Sequence, residues 1–343
     1  MDTGANFMLI PRDNCTNCNA EVQHNLYKPS QSSTFRNEPG TFLQTFFGSY
    51  TSDEQEGANC TIVSDTVRMA GREALNQQFV ACYTYSGGLR EMPSDGIFGL
   101  GSTLANHWGP SPSDPEFKAV YWQLVENGAL TSPEFSFLFQ GDKQNTRDGV
   151  LTLGGTDKRL YHPETLVNIP LDWPLSESRN RWVIPIDGVH LPNSPLLPNT
   201  TNNVALVDTG TTDVVTPDFE TAAAIYTSIS PEITRIQPQF GLWGAKCDVV
   251  DRVAQDVCFT LGAPGSTTGR KDVVLRKEYF NRGPVAGMPG YCSAVFIDPV
   301  NPAREPNQHR PAWIVGNTLL RSYYTVWNGV ERTLGWAMIH HKH

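Results

Sequence analysis

The chain repeats itself, and that repetition restricts the folds open to it more than any bulk property does. Met1-Asp2-Thr3-Gly4 is followed by Ile97-Phe98-Gly99, and Val207-Asp208-Thr209-Gly210 by Ile314-Val315-Gly316. The glycine of the later triplet lies 97 positions after the aspartate in the first copy and 108 in the second. A single D-T-G reads as an ordinary turn, because Asp favours turns through local hydrogen bonds and Gly permits positive φ. Two of them, in the same order and with matching partners downstream, point to a duplicated domain with one carboxylate of catalytic type in each copy.

That pattern permits a particular chemistry. If the two turns meet across a pseudo-twofold axis, Asp2 and Asp208 cannot both ionise easily and one proton is shared between them. The ionised carboxylate can then take a proton from a bound water while the protonated one polarises a peptide carbonyl. Water attacks directly, no covalent intermediate forms, and neither cofactor nor metal is called for.

The rest of the chain reads as all-β. Short apolar runs such as Phe135-Ser136-Phe137-Leu138-Phe139 and Gly149-Val150-Leu151-Thr152-Leu153 are split by turn residues, among them 29 Gly and 25 Pro. Helical stretches are few, expected at 119–127 and at 219–229, the second opening after Thr216-Pro217-Asp218. At 343 residues the chain has room for two lobes, expected as 1–166 and 167–343 with a crossing near Leu166 to Pro170. A formal charge of −9 argues against a nucleic-acid or anionic-membrane partner. There is no apolar run of 18 residues to span a membrane. Three sequons, at Asn14, Asn59 and Asn199, fall in polar, turn-rich stretches where glycans could sit, and with seven cysteines they favour an oxidising, secretory compartment. Neither HExxH, a P-loop nor GxSxG occurs.

Four further motifs accompany the two turns: Tyr27-Lys28-Pro29-Ser30-Gln31-Ser32-Ser33-Thr34-Phe35, Asp95-Gly96-Ile97-Phe98-Gly99-Leu100-Gly101, Leu153-Gly154-Gly155-Thr156-Asp157 and Trp313-Ile314-Val315-Gly316-Asn317. In order and spacing the chain resembles the pepsin-like aspartic proteases from residue 2 to about residue 339. The resemblance implies a bilobal fold of two orthogonally packed β-barrel lobes, with a cleft between them and a β-hairpin flap matching Phe42 to Val63. It implies an aspartic endopeptidase acting as a monomer on peptides or proteins, with Asp2 and Asp208 catalytic and Thr3, Gly4, Thr209, Gly210 and Thr211 supporting the turns. Substrate contacts would come from Phe47, Gly48, Ile97 and Thr212, with apolar residues favoured around the scissile bond. The expected location is extracellular or within the secretory or vacuolar pathway. The alternatives are a non-cleaving pepsin-like peptide-binding or surface protein, or an inactive truncated gene product.

The resemblance pairs Cys15 with Cys18 and Cys247 with Cys292. A C-x-x-C could instead be a redox motif or half a zinc site, though no βαβ context or second ligand pair supports either. Cys60 and Cys82 fall on runs expected to be neighbouring strands, which allows a third bridge that is not a standard family feature. Cys258 then reads as a buried free thiol, and His340, His341 and His343 as a frayed polar tail.

Departures concentrate around the turns. Ala5 stands where the family has Ser, while the second turn keeps a hydroxyl in Thr211. Leu9 replaces a Trp and Phe47 a flap Tyr, so those two are expected to meet by apolar packing; Asn317 replaces an Asp. In the family an extended strand runs into the first D-T-G, after a signal and an inhibitory propeptide. The first lobe is therefore expected to lack its first strands, with the Met1 ammonium beside Asp2 and little activity without upstream sequence.

Overall fold

The computed structural model describes residues 1–47, 56–102, 106–107, 116–139, 149–172, 175, 181–299 and 312–340. Its elements are overwhelmingly strands, as the sequence pattern requires. By contacts the chain divides into one unit of Met1–Pro133 with Ser176–Arg181 and a second of Glu134–Leu175 with Trp182–His343.

In the first unit a five-stranded sheet runs in the order Arg36–Phe47, Glu56–Met69, Arg72–Ser86, Met8–Pro11, Ile97–Phe98. The second and third of these strands form a long hairpin whose two-residue turn, Ala70-Gly71, has positive φ at both positions, 49° and 73°. That is the twist that matches right-handed strands. Met8–Pro11 lies parallel to Arg72–Ser86 and antiparallel to Ile97–Phe98, so the chain leaving the first D-T-G is clamped from both sides. Ala5, Phe7, Leu9, Ile62, Val80 and Ile97 pack together in the core beneath it.

Among the described residues the second unit holds three sheets. Seven strands run Lys271–Leu275, Val257–Leu261, Val183–His190, Asn203–Val207, Ala312–Val315, Val214–Val215, Phe296–Ile297. Here too the short strand after the D-T-G is clamped, antiparallel to Ala312–Val315 and parallel to Phe296–Ile297. A five-stranded sheet orders Val167–Pro170, Thr333–Met338, Tyr323–Asn328, Glu134–Phe139, Gly149–Leu153, so the expected crossing segment is an edge strand of this unit. A four-stranded sheet pairs Leu242–Lys246 with Tyr291–Ala294, where the Cys247–Cys292 disulfide lies. The helices expected from sequence run over Val120–Glu126 and Phe219–Ile229, the latter capped by Asp218, whose carboxylate accepts from Thr221 N–H at 2.7 Å. No helix among the described residues is long and apolar enough to cross a membrane.

Cys15–Cys18 and Cys60–Cys82 are also bridged, the latter linking residues that face each other across the long hairpin. Cys258 is free, but half-buried rather than buried, because it sits on a strand face toward Asp272 and Asp256 rather than the core. His340 is not frayed: its Nδ1 lies 3.1 Å from His162 Nε2 and its N–H donates to Leu160 O. His341 and His343 lie outside the described residues.

The Tyr27–Phe35 motif has a structural explanation. The hydroxyls of Tyr27 and Ser32 donate to the buried Asp65 carboxylate at 2.6 and 2.7 Å, joined by the Thr34 hydroxyl and by Thr66 N–H at 2.7 Å. Burial alone would push this carboxyl up, but the three hydroxyls and the amide together hold it below its ordinary value of 3.8. A depressed carboxylate contributes stability that is present above its unfolded pKa and lost as pH falls through the folded one. We expect Asp65→Asn to cost about 2–4 kcal/mol at pH 7. In urea titrations the gap between variant and unsubstituted protein should narrow below about pH 4; a constant gap would contradict this account.

Candidate active site

Each D-T-G closes on its own aspartate. Gly4 N–H donates to Asp2 Oδ1 at 2.8 Å and Gly210 N–H to Asp208 Oδ1 at 2.7 Å, turning one carboxylate oxygen back onto the loop. The main chain repeats as well. Asp2 N–H donates to Phe98 O and Asp208 N–H to Val315 O, both at 2.9 Å. Gly99 N–H donates to Phe7 O and Gly316 N–H to Asp213 O, both at 3.1 Å. Phe7 and Asp213 each stand five residues after the aspartate, so the repetition holds offset for offset.

The downstream glycines are required for space, since neither has a positive φ. A Cβ at Gly99 would lie 2.5 Å from Phe7 O and 2.8 Å from Ala5 O, and one at Gly316 would lie 2.4 Å from both Asp213 O and Thr211 O. The obstructing carbonyls belong to the residues three and five places after the aspartate in both copies. Thr3 and Thr209 are buried under their turns, while Asp2 and Asp208 are half-buried, leaving each carboxyl in reach of solvent.

The copies differ in side chains. Thr211 Oγ1 donates to Asp208 Oδ2 at 2.8 Å, whereas the matching position, Ala5, has no hydroxyl and packs into the core. Asn317 Nδ2 donates to Thr209 O at 3.0 Å, bracing the second turn in a way an ionised Asp could not, while its Oδ1 is buried without a partner. Five residues after Asp208, Asp213 meets Arg282 Nε at 2.5 Å.

Among the remaining expected residues, Thr212 is exposed beside the second turn. Ile97 is 9% exposed and packs in the first unit's core, where Leu9 is its register partner. Gly48 and the side chain of Phe47 lie outside the described residues, as does most of the acidic flap tip. Asn14 and Asn199 are exposed. Asn59 departs from the expected turn: it lies in the strand Glu56–Met69, half-buried, with its amide donating to Thr84 Oγ1 at 2.8 Å. Sequence reading missed Asp213 and Arg282, although counting five residues from each aspartate sets Asp213 against Phe7 and exposes the anomaly.

A family model described as eukaryotic aspartyl protease matches residues 1–339. The chain belongs to the eukaryotic aspartyl protease family. Among relatives of this family, an "Aspartic protease" of Phaffia rhodozyma is 26% identical over 342 residues, covering 98% of this chain and 72% of the relative. "Pepsin B" of Canis lupus familiaris is 26% identical over 343 residues, covering 98% and 76%. "Pregnancy-associated glycoprotein 1" of Ovis aries is 27% identical over 339 residues, covering 98% and 76%, under a name that states no activity.

Asn317 offers a test of how the second turn is braced. In Asn317→Asp the new carboxyl can donate to Thr209 O only while protonated, so its folded pKa must rise above its unfolded value. Such a group gives stability that is full below the unfolded pKa and lost as pH rises through the folded one. The variant should match the unsubstituted protein near pH 3 and be less stable by about 1–3 kcal/mol at pH 7. Equal stability at both pH values would show that the amide does not brace the turn.

Proposed function

We propose that this chain is an aspartic endopeptidase in which Asp2 and Asp208 act together as one acid–base pair on a peptide bond. The observation that carries this reading is that each aspartate's bond from its own glycine amide and two main-chain bonds recur at the same offsets in both turns, in a member of the eukaryotic aspartyl protease family. In that pair a single proton is shared, because two adjacent negative charges are costly. The Thr211 hydroxyl donates to Asp208, and the matching position beside Asp2 is Ala5. The protonated member donates to the substrate carbonyl while the ionised one draws a proton from the attacking water. The tetrahedral intermediate collapses with proton transfer to the leaving amine.

The two halves, 1–166 and 167–343, each contribute one aspartate. Substrate would run past Thr212, Phe47 and Gly48, with Ile97 offering only the edge it leaves exposed, and apolar residues should flank the scissile bond. Three disulfides and the exposed sequons at Asn14 and Asn199 support an extracellular, secretory or vacuolar setting. The reading assigns no cofactor and a monomeric state.

The rival reading is a protein that binds peptides without cutting them. Incubation with an acid-denatured protein, with and without a transition-state-like peptide inhibitor, separates the two. Inhibitor-sensitive cleavage is expected; tight inhibitor binding without any cleavage would favour the rival. Ala5→Ser adds a donor to the first carboxylate and should move the pH optimum of cleavage down by about half a unit to one unit. A profile unchanged by that substitution would contradict the proposed role of position 5. Cleavage sites in a peptide library should carry large apolar residues beside the cut, and a clear preference for charged ones would count against the substrate assignment.

A further inference from the structure

The second turn is filled differently from the first. Phe7 packs among Ala5, Leu9 and Ile97, whereas the residue at its offset, Asp213, is held by Arg282 from the strand Asn281–Pro284. Both charged side chains are mostly covered, at 26% and 21% exposure. The backbone requirement is the same in both copies, a carbonyl that accepts from the downstream glycine. The first copy meets it with an apolar residue, so the fold does not need a charge here. A covered ion pair also brings little net stability, because desolvating two charges offsets most of their attraction.

Burial raises the Asp213 carboxyl above its ordinary value, with the Arg282 charge opposing. Tyr226 of the helix Phe219–Ile229 also interacts electrostatically with it; burial keeps that phenol neutral, and its hydroxyl donates to Phe296 O at 2.8 Å. Asp298, which also acts on Tyr226, is itself engaged by Arg235 and Trp243.

We propose that Asp213 and Arg282 are a positioning pair for Asp208: they tie the loop 208–213 to the strand Asn281–Pro284, and Asp213 keeps the Arg282 charge from acting on the catalytic carboxylate. This rests on the endopeptidase reading. Asp213→Asn leaves a lone cation beside the loop, which favours ionised carboxylates, so the acidic limb of kcat should move to lower pH. Arg282→Gln leaves Asp213 able to take up a proton and should not move the limb down. Both should lower kcat by about tenfold to a hundredfold with KM within about threefold, the signature of a displaced catalytic group. Arg282→Lys should recover part of the loss. Asp213→Leu combined with Arg282→Met should melt at or above the unsubstituted protein yet keep the low kcat; it carries the test if a single variant does not fold. Recovery of full kcat in this double variant would overturn the proposal, as would a rise in KM alone. Amide hydrogen exchange at Gly210 and Gly316 provides a readout that needs no cleavage. It should quicken in both single variants, and unchanged exchange overturns the positioning role even if the chain proves not to be a protease.

Discussion

In each half the aspartate loop packs, backbone against backbone, on a glycine roughly a hundred residues further on. At Gly99 and Gly316 the carbonyls of the third and fifth residues after the aspartate occupy the space where any side chain would begin. Much else follows from that contact. Beyond it the strand after each turn lies between two neighbours, one parallel and one antiparallel. The contact fixes the loop tightly enough for a glycine amide to hold one oxygen of each carboxylate. A group placed by backbone on strands is held more rigidly than one on a free loop, and acid–base chemistry depends on such placement.

On this shared backbone the two copies carry different side chains, and the differences have chemical direction. The first loop is lined with apolar side chains, Ala5 and Phe7 facing the core. The second is polar: Thr211 donates to Asp208, Asn317 braces Thr209 and Asp213 pairs with Arg282. One carboxylate therefore accepts from a hydroxyl, while the matching position beside the other has none. In a pair that shares one proton, such asymmetry biases which partner holds it. A duplicated scaffold can thus supply two carboxylates of the same geometry with two different tasks.

The repeat, the all-β pattern and the two aspartates were legible in the sequence because they depend on local turn chemistry and on order along the chain. The helix after Asp218 was legible for the same reason, its cap being a local signal. What the sequence hid depends on contacts between distant residues. Asp65 looks like any strand acid until Tyr27, Ser32 and Thr34 are seen to converge on it. Asn59 forms a sequon like Asn14, but its place in the long hairpin commits its amide to Thr84. The half-burial of Cys258 and the capture of His340 by His162 likewise come from strand pairing that periodicity does not encode.

The central claim is that Asp2 and Asp208 work as one unit rather than as two independent groups. A double-mutant cycle on kcat/KM with Asp2→Asn, Asp208→Asn and the combined variant tests it most directly. Groups that act as a unit are grossly non-additive. Each single substitution should therefore lower kcat/KM by at least about a thousandfold, and the double variant should fall no further than the worse of the two. Appreciable activity in either single variant, or losses that multiply in the double, would contradict the account.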